Sequence, residues 1–215
     1  MRESTSDIER RNLPRRPQRK RGIRRFDLLL DAAEHLLGYS PNDDISLAAI
    51  AEQAGVPVPS VYHFFPNKNA ALVALAGRYH RALDALAREP LLPPPAQWQE
   101  IVRIRQRNGA KYLNRHPAAL RLFIGAGVSV EVRNLDLRGN AALATTRAED
   151  FRTYFACDHL ANLEKWLANS IGVMDGIWAI SYAEHGSITE DYLVESMRAA
   201  IAYLRCYLPE ELPPA

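Results

Sequence analysis

Apolar residues recur at helical spacing along most of this 215-residue chain. From Phe26 they continue at Leu29, Leu30, Ala33 and Leu37, which predicts one buried face of a first helix. Further helices are predicted over 47–54, 58–64, 68–88, 98–115, 117–124, 141–155, 160–184 and 190–208, and 125–140 is ambiguous. No convincing alternating β pattern and no internal repeat is present. The pattern therefore predicts an all-α protein.

Residues that begin or end helices stand at the boundaries of these segments. Ser46, Asn67 and Thr189 each precede a helical pattern and can cap it through a side-chain oxygen. Gly55 and Gly186 follow helical patterns and can adopt the left-handed conformation that ends a helix. The cluster at 40–44 ends the first helix.

Charge and proline content divide the chain into three parts. Residues 1–25 hold ten Arg or Lys against three Asp or Glu, whereas the remainder holds 17 against 22. Residues 1–22 are predicted to be a disordered basic arm, 23–87 a helix-turn-helix domain and 88–215 a helical ligand-binding and dimerisation domain. The proline-rich segment 89–96 connects the last two. The basic arm suggests an anionic polymer as partner, although it is equally compatible with a solvated tail.

Composition favours a cytoplasmic protein. The chain is 47% hydrophobic and 24% charged, and no apolar run reaches the roughly 18 residues that a membrane span needs. Cys157 and Cys206 show no CxxC spacing, so a disulfide scaffold or zinc ribbon is not expected.

The segment AGVPVPSVYHFFPNK joins two short predicted helices through Gly55. This is a helix-turn-helix arrangement, in which the second helix enters the major groove of DNA. Val56, Val61 and Phe65 are expected to hold the pair together. The outward residues are Val58, Ser60, Tyr62, His63 and Phe64, whose hydroxyl, phenol and imidazole groups can contact phosphates and bases.

The stretch from Phe26 to Leu86 resembles the DNA-binding domain of the tetracycline-repressor (TetR) family. The residues that carry the resemblance are IAEQAGV at 50–56, VYHFF at 61–65, Asn67-Lys68 and Leu72. It implies a homodimeric repressor that binds a palindromic operator and is released by a small ligand. The expected DNA-binding residues are Arg24, Arg25, Ser46, Val58, Pro59, Ser60, Tyr62, His63, Phe64 and Lys68, with Tyr62 and Lys68 on phosphates.

The sequence departs from the family pattern in two ways. Pro57 stands where the family usually has a capping Ser or Thr, and Ala48 and Ala49 replace common arginines. Residues 26–88 hold only four basic residues against seven acidic ones. DNA affinity is therefore expected to depend on the arm, including Arg19, Lys20 and Arg21, and deleting 1–22 should weaken it.

The last two long helices are predicted to form the homodimer interface, over Leu163–Glu184 and Tyr192–Leu208. Their apolar stripes comprise Leu163, Leu167, Ser170, Ile171, Met174, Trp178 and Ser181, then Leu193, Met197, Ile201, Leu204 and Leu208, beside Gly172 and Gly176. The alternative is that the two stripes bury each other within one chain. The resemblance favours the dimer.

Aromatic residues with a few polar neighbours suggest a pocket for an unknown small-molecule effector. The ligand-binding candidates are Tyr112, His116, Arg121, Phe123, Phe151, Tyr154, Phe155, Trp166, Met174 and Trp178, each of which could equally belong to an ordinary core. No catalytic motif, cofactor motif or metal-ligand spacing is present, so no enzyme, cofactor or metal is expected.

The predicted function is ligand-responsive regulation of transcription at a DNA operator. The alternative is a small-molecule-binding or catalytic helical protein whose helix-turn-helix no longer binds DNA. The acidic balance of residues 26–88 favours that alternative.

Overall fold

A computed structural model describes residues 13–39, 45–126 and 129–215. Within these ranges the chain forms nine helices, which confirms the all-α prediction. They are α1 (Lys20–Tyr39), α2 (Leu47–Gln53), α3 (Val58–Phe64), α4 (Lys68–Ala87), α5 (Trp98–Arg115), α6 (Pro117–Phe123), α7 (Val130–Tyr154), α8 (Leu163–His185) and α9 (Glu190–Leu204). Among the described residues, Phe155 and Pro214 form one isolated β-bridge.

The helices group into two compact units. The first comprises the described residues up to Tyr79, with Pro117–Phe123 and the beginning of α7 to Leu135. The second comprises His80–His116, Ile124–Ala126 and Asp136–Ala215. This division differs from the sequence-based boundary at residue 87, because α6 packs against α1 and because α4 and α7 each contribute to both units.

The capping residues that the sequence indicated lie at the ends of the observed helices. Ser46 Oγ accepts a hydrogen bond from Ala49 N at 3.0 Å, and Asn67 Oδ1 accepts one from Ala70 N at 2.9 Å. Gly186 has a φ of 68° and ends α8 as expected. The prediction for Thr189 was only half right, since it occupies the N-cap position of α9 but its side chain makes no capping hydrogen bond.

Two helices begin elsewhere than predicted. Helix α1 begins at Lys20, so the last three residues assigned to the disordered arm are helical. Helix α7 begins at Val130 and includes much of the segment that the pattern left ambiguous. The predicted helix end at 40–44 and the first 12 residues of the arm lie outside the described residues.

The core of the first unit is built on the apolar face of α1. Phe26, Leu29, Leu30, Ala33 and Leu37 are all buried, as their spacing predicted. The ring centroids of Phe26 and Phe65 lie 5.0 Å apart, and this contact packs α1 against the C-terminal end of α3. Arg78 on α4 pairs with Asp31 and Glu34 on α1, so part of the acidic charge of this unit is compensated internally.

The second unit buries the two apolar stripes of its last helices within the chain. All twelve stripe residues are buried here, so the intrachain alternative is correct for them and their assignment to a dimer interface was wrong. They are Leu163, Leu167, Ser170, Ile171, Met174, Trp178, Ser181, Leu193, Met197, Ile201, Leu204 and Leu208. Trp178 Nε1 donates to Ser196 Oγ, which in turn donates to Gln106 Oε1, so a polar chain joins α8, α9 and α5.

Candidate nucleic-acid interface

Helices α2 and α3 form a tight pair around the turn at Gly55. Gly55 has a φ of 63°, the left-handed conformation that favours glycine, and Val56 N donates back to Ala51 O at 3.0 Å. Helix α3 then begins without a side-chain cap, because Pro57 at the N-cap position has none to offer. Pro59 lies in the first turn, where its missing N–H costs nothing.

One face of α3 is fixed in the core and the opposite face is open. Val61 and Phe65 have no accessible surface, which confirms their predicted packing role. Val58 is 40% exposed and Tyr62 53% exposed, and His63 is exposed beside them. The helix therefore presents a phenol, an imidazole and an apolar group on a rigid backbone.

Phe64 was expected on the outward face, and this expectation was wrong. Its side chain is only 5% exposed and packs edge-on against Phe26, with ring centroids 5.8 Å apart. An aromatic ring of this size stabilises a fold most when it is buried, and α1 offers it a partner. Phe64 is therefore a core residue that helps to fix the position of the open face of α3.

The other predicted DNA-binding residues remain accessible. Arg24, Ser46, Pro59 and Lys68 are exposed, and Arg25 and Ser60 are partly exposed. Lys68 is the first residue of α4, directly after the α2–α3 pair. The structure thus leaves these residues available for DNA, although their individual roles stay predictions.

The described part of the arm lies beside the C-terminal end of α3. Arg15 N donates a hydrogen bond to Phe64 O at 2.8 Å. Pro17 lies so close to Gly22 in the first turn of α1 that a Cβ on Gly22 would be 2.8 Å from Pro17 Cβ. Sequence reasoning identified the basic arm but missed this docking, which depends on a backbone hydrogen bond and on close packing.

An open cleft of about 490 Å³ lies between the arm, α1 and α3. Arg19, Arg21 and Arg25 line it together with His63. Arg19 and Arg21 are exposed, and neither forms an ion pair with another described residue. The cleft therefore joins the cationic arm to the open face of α3 in one continuous surface.

A glycine turn between two short helices, an open second helix and an adjoining cationic surface are together the features of a helix-turn-helix domain. In agreement with this class, the family model described as "Bacterial regulatory proteins, tetR family" matches residues 29–75, which span the second half of α1, all of α2 and α3 and the beginning of α4.

Two regulators of known name are similar in sequence. The HTH-type transcriptional regulator EthR of Mycobacterium tuberculosis is 38% identical over 93 residues, which cover 40% of this chain and 43% of EthR. The tetracycline repressor protein class D of Escherichia coli is 27% identical over 189 residues, which cover 86% of this chain and 73% of the repressor. The chain thus matches less than half the length of EthR.

Solved structures share the fold over most of the chain. A TetR-family transcriptional regulator from Streptomyces coelicolor aligns with a TM-score of 0.68 at 20% identity, covering 86% of this chain and 99% of that one. A TetR transcriptional regulator from Rhodococcus sp. RHA1 aligns with a TM-score of 0.67 at 17% identity, covering 89% and 100%. The chain therefore shares the fold of these regulators over most of its length, and its residues 29–75 match the family model of their DNA-binding domain.

The residues proposed for a ligand pocket are dispersed. Arg121 and Phe123 lie in the first unit, where Arg121 Nη1 donates to Leu37 O. In the second unit, Tyr112 and His116 stack on each other with ring centroids 4.1 Å apart, and Trp166 stacks on Tyr207 at 4.7 Å. The remaining candidates are buried or partly buried, namely Phe151, Tyr154, Phe155, Met174 and Trp178. Their role in ligand binding stays a prediction.

Three further observations bear on the expected class. In the part of the chain that the structure describes, no helix is long and apolar enough to cross a membrane. The same residues contain no group of three or more His, Cys, Asp or Glu that could hold a metal ion. Cys157 is buried and Cys206 exposed, and both are free thiols.

Proposed function

We propose that this protein is a ligand-responsive, dimeric DNA-binding regulator of transcription, and specifically a repressor. The observation that carries the proposal is the open face of α3, where Tyr62 and His63 project from a helix anchored by Val61 and Phe65. A helix held this way presents its side chains to a groove without conformational rearrangement, which reduces the entropic cost of binding.

The cationic cleft supports the same function. Base edges are read by the recognition helix, whereas affinity comes largely from cations on phosphates. Since residues 26–88 hold seven acidic residues against four basic ones, Arg19, Arg21 and Arg25 supply the attraction that α2 lacks. In this arrangement Tyr62 and Lys68 hold the backbone and the arm follows the adjacent phosphates or minor groove.

A homodimer would bring two α3 helices to successive major grooves, about 34–36 Å apart on DNA. The outward face of α8 and α9 is suited to this contact. An added Cβ at Gly172 or Gly176 would meet no atom within 4 Å, while Ile180 is 50% exposed and Val194 41% exposed. Open glycines beside exposed apolar groups allow two backbones to approach closely.

Selection of genomic fragments tests DNA binding directly. Purified protein should retain a limited set of fragments with a common palindrome at both low and moderate salt. Tyr62→Ala combined with Lys68→Ala should abolish the selection without lowering the thermal stability of the fold. Retention without any sequence preference, erased by moderate salt, would instead support the alternative of a helical protein that no longer reads DNA.

Sedimentation velocity tests the dimer separately. Gly176→Arg places a charge on the open face and should convert the dimer to a monomer, because an unpaired buried charge is costly at an interface. Thr153→Arg, at an exposed position on α7, is the matched control and should sediment like the wild type. An unchanged dimer in the Gly176 variant would move the interface elsewhere.

The effector is the least defined part of this proposal. A ligand can release DNA only by binding one conformation better than the other, and coupling of this kind is typically about 1–3 kcal/mol. Helix α4 runs from the first unit into the second. A ligand that contacts its C-terminal half is therefore well placed to act on the helix that begins at Lys68.

A further inference from the structure

A small cavity lies within the second unit, among α4, α5 and α7. Its volume is about 40 Å³, and Leu83, Leu86, Ala87 and Leu143 give it apolar walls. A water molecule occupies about 30 Å³ in the liquid. The cavity therefore has room for the polar head of a small molecule, while the partly exposed Leu83, Leu86 and Leu143 border the path for a tail.

Two arginines also line this cavity, and their hydrogen bonding differs. Arg105 is buried and its donors are used: Nε and Nη2 donate to the two oxygens of Asp150 at 2.8 and 2.9 Å. Its remaining contacts are to the carbonyl oxygens of Leu86 and Glu89 at 3.4 and 2.9 Å, near the end of α4. Arg105 is thus a satisfied structural residue.

Arg147 is partly exposed and has no such partners. Within the described residues its guanidinium makes no hydrogen bond and no ion pair, although it lines the cavity beside Arg105. Asp175 attracts it only from a distance, and the Asp175 carboxylate already accepts a hydrogen bond from Asn140 at 2.8 Å. Burial lowers the pKa of Arg147 to about 10, and the positive charge of Arg105 adds to that effect.

The cluster contains two guanidinium groups and two carboxylates, of which Asp150 contacts Arg105 and Asp175 attracts Arg147 without a hydrogen bond between them. A charge partly removed from water is stabilised by an opposite charge and by hydrogen bonds. The planar guanidinium fork matches a carboxylate through two parallel hydrogen bonds, which adds geometric selectivity. Asn108, on the same cavity wall, offers a further neutral donor.

We propose that the effector is an organic carboxylate with an apolar tail, and that Arg147 binds its carboxylate head inside this cavity. The size of the cavity favours a planar carboxylate over a phosphate ester, and the leucines favour a hydrocarbon tail. Because this inference names the effector class, it rests on the proposal that a small ligand controls DNA binding.

Calorimetric titration without DNA tests the site. The probes are straight-chain carboxylates of four to ten carbons and phenyl-substituted carboxylates of similar size, each paired with its primary amide. At least one carboxylate should bind saturably, and its amide should bind at least tenfold more weakly. Arg147→Met should abolish the preference, whereas Arg147→Lys should weaken binding but retain the preference for the charged head.

Arg103→Met is the control, since Arg103 is an exposed arginine on α5 and its replacement removes the same charge. It should bind the carboxylate like the wild type, and thermal unfolding should show that every variant is folded. Equal binding of carboxylate and amide, unchanged binding in Arg147→Met, or no binding of any probe would overturn the inference and make Arg147 a solvated structural arginine.

The inference and the regulatory proposal can fail independently. Carboxylate binding without sequence-selective DNA binding would leave the site intact and remove the regulatory function. Selective DNA binding by the wild-type protein with no carboxylate binding would do the reverse. If both hold, the carboxylate that binds should also release the wild-type protein from its selected fragment.

Discussion

The two units differ in where their proposed functional side chains lie. The first unit carries them on its surface, and the second carries them in and around a cavity. In the first unit, Val61 and Phe65 fill the interior and Tyr62 and His63 lie outside it. In the second unit, Arg105 is buried and the partly exposed Arg147 lines a cavity among leucines. A surface used for DNA can change with little effect on folding, whereas a buried charge changes folding and ligand binding together. Substitutions in the two units should therefore differ in how much they lower the free energy of unfolding.

The largest loss is expected for Arg105→Met. Removing this guanidinium leaves the Asp150 carboxylate without its bidentate partner and the carbonyls of Leu86 and Glu89 without a donor. Breaking one side of a buried ion pair typically costs about 3–5 kcal/mol. Urea unfolding should show this loss, and Arg103→Met should be close to wild type. A loss below about 1 kcal/mol would show that water satisfies Asp150.

A smaller loss is expected for Gly139→Ala on α7. A Cβ at this position would overlap with the His80 imidazole, which is itself paired with Asp136 at 3.4 Å. Overpacking of this kind typically costs about 1–3 kcal/mol. Combining Gly139→Ala with His80→Ala should remove most of the added cost, as a double-mutant cycle would show. Strict additivity of the two single changes would refute the steric explanation.

In the first unit, Ser46→Ala should cost about 1 kcal/mol, because the Ser46 hydroxyl caps α2 through Ala49 N. Ser46→Asp should retain most of the stability, since Asp is also a good N-cap. If Ser46→Ala unfolds at the same urea concentration as the wild type, the cap contributes nothing to the stability of the fold.

The smallest effect on folding is expected for Tyr62→Ala. This side chain is half exposed, and surface substitutions of this kind usually change stability by no more than about 0.5 kcal/mol. Its effect should appear instead in affinity for the selected DNA. A large loss of stability would show that Tyr62 has a packing role, and the contrast between the two units would weaken.

The same contrast explains what sequence could predict. The helix-turn-helix requires a glycine turn, two buried apolar positions and short caps at fixed spacing, so Gly55, Val61, Phe65, Ser46 and Asn67 were all assigned correctly. Phe64 was misplaced because helical spacing near the end of a seven-residue helix does not show that α1 supplies an aromatic partner.

In the second unit, spacing identified the buried stripes of α8 and α9 but not what covers them. A leucine stripe is the same in sequence whether it meets its own chain or another copy. Arg147 was missed for a related reason, since a lone arginine in a long helix gives no sign that its surroundings are apolar. Finding it requires knowing that three helices separated in sequence form one cavity beside it.

The most direct test of the account is the salt dependence of binding to the selected DNA fragment. Helix α1 begins at Lys20, so deleting residues 1–19 removes six arginines and leaves the helix intact. Each lost phosphate contact should flatten the slope of log affinity against log salt concentration by about 0.9. We predict a flattening of at least about 1 with the preferred sequence unchanged, and no change in Arg103→Ala. An identical slope with and without the arm would contradict the account.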